Sequence, residues 1–253
     1  MFRTLRIFIL LLLLIGIAYS TWRTKVQSVE WKYTLGVVIY PINGDDSAVA
    51  ADYMHHLTAV DFKPVETFMR DEAVRHGHAA NASIEIRMGN ILASRPPMPV
   101  RNSGALETII WSLKMRWWAF RNADKVGPGL QARMFVLYFD PAQHKIMQHS
   151  TGLQKGLLGL VNAFATDEMA QQNNVVIAHE FLHTLGATDK YDIATNQPIY
   201  PDGYADPERM PLLPQQFGEI MAGRTPLSET ESVTPPSLNY TVIGNQTAQE
   251  INW

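Results

Sequence analysis

Four segments of the chain carry the apolar, β-branched pattern that is typical of strands. They are 34–42 (TLGVVIYPI), 82–88 (ASIEIRM), 132–139 (ARMFVLYF) and 156–165 (GLLGLVNAFA). Turn residues follow the first and third segments, as Asn43-Gly44 and Asp140-Pro141. Two glycines inside the fourth segment favour a strand that another backbone approaches closely.

Helical spacing predicts three longer helices. The first covers about 48–76, with a break or kink at Pro64. The second covers 105–121, and we interpret its apolar stripe as the face that packs on the core. The stripe consists of Leu106, Ile109, Ile110, Leu113, Trp117 and Phe120. The third ends at Gly186 and is apolar on nearly every side, which predicts a buried helix.

The order of these elements predicts a mixed α/β (α+β) fold. We expect a twisted sheet of four to five strands with an antiparallel edge strand. A backing helix would cover the sheet, and the buried third helix, which ends at Gly186, would carry the candidate functional residues. The tail 241–253 predicts a short final helix that packs Ile251 and Trp253.

Composition and charge narrow the classes of function. A chain of 253 residues with 46% hydrophobic and 18% charged residues is ordinary for one globular domain. A net charge of -3 gives no reason to expect nucleic acid as a partner. Because the chain contains no cysteine, disulfides, thiol catalysis and cysteine-bound zinc are excluded, and any metal must be held by His, Asp or Glu.

The N-terminal residues predict export. Arg3 and Arg6 precede an apolar run from Ile7 to Tyr19. Ala18 and Ser20 then place small residues where a signal peptidase cleaves, so cleavage after Ser20 is expected. Residues 1–20 are therefore expected to be a signal peptide, which makes the protein secreted or periplasmic, or a membrane anchor formed by residues 5–20. Residues 21–33 would be a short linker, and 34–253 the domain that carries the function.

The stretch HEFLHTLGATDKYD, residues 179–192, carries the candidate chemistry. His179 and His183 are four residues apart, so both imidazoles can point at one ion from one helix face. Glu180 would lie beside the ion, where it can take a proton from water. No histidine follows His183, so a third ligand must be a carboxylate or come from upstream; Gly186 would let the chain turn Asp189 back to the ion. The alternative is a core helix with hydrogen-bonded histidines.

The same residues carry a resemblance. HEFLHTLGATD fits H-E-x-x-H-x-x-G-x-x-[HD], the extended zinc signature of the metzincin proteases, and its Asp-ending form is similar to the snapalysin family. GEIMAGR, 218–224, resembles the metzincin Met-turn, which assigns Met221 to the apolar floor under the histidines and implies a small C-terminal subdomain. GLLGLVNAFA resembles the edge strand that pairs with substrate, which assigns that role to Gly156, Leu157, Leu158, Gly159 and Leu160.

One position departs from the family. Many metzincins have a tyrosine two residues after the Met-turn methionine, and here Gly223 occupies that place. Tyr191 could support the transition state instead, or it could only pack.

These observations predict an exported zinc-dependent endopeptidase that acts on peptide or protein substrates. One zinc ion would be held by His179, His183 and Asp189, with Glu180 as the general base. One alternative is a peptidase whose third ligand is a downstream glutamate, Glu208 or Glu219. Another is a membrane-anchored binding protein with a structural or vestigial zinc site.

Overall fold

The chain folds as a mixed α/β protein with a five-stranded, mostly parallel sheet. The computed structural model describes residues 2–78, 84–99, 104–145, 150–154 and 156–253. The helices are α1 (Phe2–Ser28), α2 (Ala48–His56), α3 (Lys63–Arg75), α4 (Ala105–Asn122), α5 (Ala170–Leu185) and α6 (Asn245–Glu250). The strands of the main sheet are β1 (Leu35–Asn43), β2 (Ile84–Met88), β3 (Gln131–Phe139), β4 (Thr151–Leu153) and β5 (Leu158–Phe164).

The sheet has the strand order β2-β1-β3-β5-β4. The first four strands in that order run parallel, and β4 pairs antiparallel with β5 through Thr151 opposite Leu160 and Leu153 opposite Leu158. The four predicted strands are all present. A sheet of five strands with an antiparallel edge strand is also as predicted.

The position predicted for the fourth strand is wrong. β5, which contains the predicted edge residues Leu158, Gly159 and Leu160, lies between β3 and β4 and is paired on both sides. Gly156 and Leu157 lie in the turn before it. The edge strand is β4, which the pattern missed because it has only three residues and one of them is glycine.

The two faces of the sheet are covered by different helices. On one face α2, α3 and α5 form a large apolar core with β1, β3 and β5. A 3-10 turn, Ala59–Phe62, separates α2 from α3, and Pro64 lies in the first turn of α3, so the predicted long helix is two helices. On the other face α4 packs on Tyr40, Phe135 and Leu160.

The face of α4 that packs on the sheet is not the predicted one. Trp111, Met115 and Ala119 are buried, whereas the predicted stripe from Leu106 to Phe120 is exposed, with Trp117 64% and Phe120 74% accessible. Both sides of this helix are apolar, and periodicity alone does not say which of two apolar sides meets the sheet.

The chain before the sheet is helical for longer than predicted. α1 continues to Ser28, so most of the expected linker is helix. Trp31 then docks on the C-terminus, where its Nε1 donates to the Ile251 carbonyl at 2.8 Å and its ring lies 5.2 Å from that of Trp253. Among the residues that the structure describes, no helix combines the length and apolar character needed to cross a membrane.

The residues after α5 form a C-terminal region of short elements. Two strand pairs join β6 (Gly218–Glu219) to β9 (Thr241–Val242) and β7 (Thr225–Pro226) to β8 (Ser232–Val233). A 3-10 turn, Ile220–Ala222, lies against α5, and the predicted short final helix is α6. Ile251 is fully buried after α6, so this region closes over the same core as α5.

Candidate metal centre

Helix α5 presents two imidazoles and a carboxylate from its last two turns. The helix is buried along most of its length, and it ends at Gly186, whose φ of 117° is left-handed and suits glycine alone among common residues. The Gly186 N–H closes the helix by donating to the carbonyls of Leu182 and His183. The next residues therefore leave the helix axis and turn back over its final turn.

The tautomer of both histidines follows from their backbone partners. Nδ1 of His179 lies 2.8 Å from the Ile220 carbonyl, and Nδ1 of His183 lies 2.8 Å from the Ala187 carbonyl. A carbonyl oxygen only accepts, so each Nδ1 carries the hydrogen. In the neutral ring, Nε2 then has a free lone pair, which is the atom that a metal binds.

Asp189 meets both Nε2 atoms. Its Oδ1 lies 3.2 Å from Nε2 of His179 and 3.1 Å from Nε2 of His183. Three ligand atoms bound at typical zinc distances at the corners of a tetrahedron would be about 3.3 Å apart. The two distances from Asp189 Oδ1 to the imidazole nitrogens therefore match the separation expected between zinc ligands.

The ionisable side chains of this cluster strongly shift one another's pKa. Burial alone would raise the pKa of Asp189, but its contacts with the two imidazoles outweigh this and hold the pKa well below its usual range. Burial would lower the pKa of His179, but Asp189 and the charge of Glu180 raise it to about 9. The site therefore favours a positive charge between these groups, whether the charge is a proton or a cation.

Glu180 lies beside the histidines in a buried position. It is 5% exposed, and burial raises its pKa although His179 and His183 act in the opposite direction. Its Oε2 is buried and has no hydrogen-bond partner among the described residues. An unpaired buried carboxylate oxygen is costly in a structural position, so Glu180 is suited to a proton or a ligand that approaches the site.

His179, Glu180 and His183 could together hold a metal ion, since their ligand atoms lie within 4.8 Å of one another. Asp189 adds a fourth possible ligand, since its Oδ1 lies next to Nε2 of both histidines. Away from these two histidines, no group of three such side chains with this spacing occurs in the described part of the chain.

The turn that carries Asp189 is clamped by Glu250 of α6. The carboxylate of Glu250 accepts from the Thr188 N–H at 2.8 Å and from its hydroxyl at 2.7 Å, and it pairs with Lys190 Nζ at 2.8 Å. Lys190 is buried, and its own N–H donates to the Met221 carbonyl at 3.0 Å. Both neighbours of Asp189 are thus fixed from the C-terminal region. Sequence analysis missed Glu250, because no local pattern links it to residues sixty positions earlier.

Met221 lies in the 3-10 turn Ile220–Ala222, which packs against α5 beside the histidines. Its side chain is fully buried in the core next to α5. The carbonyls of this turn hold two parts of the site, since that of Ile220 faces His179 and that of Met221 accepts from Lys190. The segment predicted as a Met-turn is therefore brought to the histidines.

The two glutamates of the alternative ligand set are not brought to the histidines. The carboxylate of Glu219 is buried and accepts from Ala222 N at 2.8 Å, Gly244 N at 3.0 Å and Thr247 Oγ1 at 2.7 Å. Glu208 is exposed on a separate cavity that it shares with Arg75. Glu219 is occupied in holding the Met221 turn to α6.

Tyr191 lies at the rim of the site. Its side chain is half-buried, and the charge of Asp189 acts on its hydroxyl. Burial and the charges of Asp189 and Glu180 raise the pKa of Tyr191 to about 12, so the phenol keeps its proton at neutral pH. With His179 it lines a cavity of about 220 Å³ whose apolar walls include Val175 and Ile220.

The edge strand β4 passes directly over the site. A Cβ at Gly152 would lie 2.4 Å from Cβ of His183 and 2.6 Å from the Glu180 carbonyl, so only glycine allows this approach. Of the residues predicted to pair with substrate, Leu158, Gly159 and Leu160 are covered by this strand. In the part of the chain that the structure describes, no strand pairs with the outer edge of β4.

Comparison with known proteins adds no relative. No protein-family model matches the chain, and a search of the curated proteins finds no match.

Proposed function

We propose that the protein is a zinc-dependent endopeptidase of metzincin type. The observation that carries the proposal is that Oδ1 of Asp189 lies within 3.2 Å of Nε2 of both His179 and His183, next to a buried oxygen of Glu180 that has no hydrogen-bond partner among the described residues. Two imidazoles and one carboxylate with a free corner are the donor set of a catalytic rather than a structural zinc site.

The donors fit zinc chemically. With hydrogens on both Nδ1 atoms, two lone pairs and a carboxylate face one another, which is repulsive unless a cation or proton lies between them. A bound zinc ion would supply a Lewis acid that acidifies water and polarises a peptide carbonyl.

Glu180 is the general base in this proposal. Because burial raises its pKa, the carboxylate is a stronger base than an exposed glutamate, and it can take a proton from water and then pass that proton to the leaving amine. Asp189 orients both imidazoles. Tyr191 lines the adjacent cavity and keeps its proton at neutral pH, so it is available as a hydrogen-bond donor at the rim of the site.

A peptide substrate would bind as an added strand on β4. The outer edge of β4 offers backbone hydrogen bonds to an extended peptide, and Gly152 brings that peptide alongside Glu180 and His183. β4 therefore takes the substrate-pairing role predicted for residues 156–160, of which 158–160 are already paired with β4. The cavity beside His179, walled by Val175, Val176 and Ile220, would take an apolar side chain of the substrate.

Export belongs to the same proposal. Arg3 and Arg6 before the apolar run support a signal peptide or an anchor at the N-terminus. N-terminal sequencing of the protein recovered from its producing cells would show whether cleavage follows Ser20.

The experiment is a peptidase assay on the full chain with fluorescently labelled casein. We expect turnover that a chelator abolishes and that zinc restores, and almost none in Glu180→Gln. Equal, negligible turnover in both proteins despite bound zinc would favour the alternative of a binding protein with a structural or vestigial site.

A further inference from the structure

Helix α4 exposes its more hydrophobic side. Six large apolar side chains, which we call the outer stripe, are between 44% and 74% accessible: Leu106, Ile109, Ile110, Leu113, Trp117 and Phe120. The side that packs on the sheet buries Trp111, Met115 and Ala119. Soluble monomers rarely leave a contiguous apolar surface of this kind uncovered, so the outer stripe indicates an interaction surface.

Basic side chains flank the outer stripe on both sides. At 3.6 residues per turn the six apolar positions span an arc of about 100°. Lys114 and Arg121 follow one margin of this arc, and Arg116 follows the other. Glu107, the helix's single acidic residue, accepts from the Gly104 N–H at 3.1 Å and so belongs to the N-terminal cap.

The two aromatic residues of the outer stripe lie close to each other and to one of these basic side chains. The guanidinium of Arg121 lies 5.8 Å from the centre of the Trp117 ring, and the Trp117 and Phe120 rings are 6.1 Å apart. A tryptophan next to a cation, with aliphatic side chains beyond it, suits the boundary between lipid headgroups and acyl chains.

A second copy of the chain fits the outer stripe poorly. Two α4 helices packed stripe to stripe would bring Lys114, Arg116 and Arg121 of each copy against the same basic residues of the other. Like charges at such a margin oppose association, whereas an anionic surface would attract all of them.

We propose that α4 is an interfacial helix that docks the protein on an anionic lipid surface. The outer stripe enters the headgroup region, and Lys114, Arg116 and Arg121 pair with lipid phosphates or carboxylates. Because α4 and α5 cover opposite faces of the sheet, α5 and the candidate metal centre lie on the other face from the lipid. The proposal does not depend on the metal or on peptidase activity.

The test separates α4 from the apolar N-terminal helix. In the full chain, Ile7, Leu11, Leu12 and Ile15, all exposed on α1, are changed to Gln to give a background protein. Its co-sedimentation is measured with vesicles of phosphatidylcholine alone and with vesicles that also contain phosphatidylserine. Two α4 variants, Leu113→Ser/Trp117→Ser and Lys114→Glu/Arg121→Glu, are compared with Val60→Ser/Val74→Ser, which removes exposed apolar side chains on the opposite side of the sheet.

We expect the background protein and the Val60/Val74 variant to bind the phosphatidylserine vesicles equally. Each α4 variant should need about tenfold more lipid, or more, for half-maximal binding. Because the chain has no cysteine, Leu113→Cys can carry a single environment-sensitive dye. Its emission should shift to the blue and increase when vesicles are added, and this measurement stands even if a double variant folds poorly.

Two results would overturn the proposal. One is unchanged dye emission at position 113 together with equal binding of all variants. The other is a dimer of the background protein, seen by sedimentation equilibrium without lipid, that Leu113→Ser/Trp117→Ser dissociates; the partner would then be a second copy.

Discussion

The donors of the candidate metal centre come from two regions that are built in different ways. Helix α5 supplies His179, Glu180 and His183 at fixed helical pitch, and the two imidazoles are only 13% and 17% exposed. The segment 186–191 supplies Asp189, whose side chain is 37% exposed and which has no regular structure to fix it. Its position depends on Glu250 and on the carbonyl of Met221. The helix half is therefore local in sequence, and the turn half is held by contacts with the C-terminal region.

The largest effect is expected from Glu180→Gln, which changes the helix half and leaves the three proposed zinc ligands, His179, His183 and Asp189, in place. Peptidase activity should fall by about 10²–10⁴-fold, because proton transfer is lost while the imidazoles and Asp189 stay in place. The measurement is the initial rate with labelled casein together with zinc content by mass spectrometry. Zinc lost in parallel with activity would make Glu180 a ligand, and the helix would then supply all three donors.

Asp189→Asn removes the charge of the turn half. Zinc affinity should fall by more than about 100-fold, because a neutral amide replaces the only anionic member of the three proposed ligands. Competition with a chromophoric chelator measures this, and circular dichroism of the metal-free protein shows whether the fold is retained. The neighbouring Asp192→Asn, whose Oδ1 accepts from residues 194 and 195 and not from the histidines, is the matched control.

Glu250→Gln tests the clamp that holds the turn. It removes the ion pair with buried Lys190 and weakens the bonds to Thr188, so zinc affinity should fall by about 10–100-fold with the ligands themselves unchanged. Gln249→Ala, at an exposed position on the same helix, should leave affinity unchanged. If the two variants bind zinc equally, the turn keeps Asp189 in position without help from α6. Partial recovery in Glu250→Asp would show that the carboxylate positions the turn.

Gly152→Ala is expected to have the smallest effect. The new methyl group would press on His183 and on the Glu180 carbonyl, which should cost about 1–3 kcal/mol of unfolding free energy and move β4 away from α5. Gly36→Ala is the control in β1, where the nearest atom is 3.2 Å away in the movable side chain of Gln131. Urea unfolding of both proteins measures the difference. Equal stability would mean that β4 does not contact α5 as closely as described.

The sequence predicted the helix half of the site and most of the sheet. Spacing four residues apart is enough to place two imidazoles on one helix face, and Gly186 marks the end of that helix. The strands β1, β2, β3 and β5 are long enough for their apolar pattern to be read, whereas three-residue β4 is not.

The other features depend on contacts that are distant in sequence. Nothing near Glu250 indicates that it binds Thr188 and Lys190. In α4 the periodicity identifies an apolar stripe and predicts that it faces the core, because a soluble fold normally buries such a stripe. The sheet instead receives the side with Trp111, Met115 and Ala119. The pattern gives the helix, and the neighbouring elements decide its orientation.

The most direct measurement is anomalous diffraction at the zinc edge from crystals of the full chain grown with zinc. The account predicts one strong peak bonded to Nε2 of His179, Nε2 of His183 and a carboxylate oxygen of Asp189, each at about 2.0–2.2 Å. It also predicts that Glu180 lies near the ion without binding it. A peak elsewhere, or an Asp189 side chain turned away from an ion held by His179, Glu180 and His183, would contradict it.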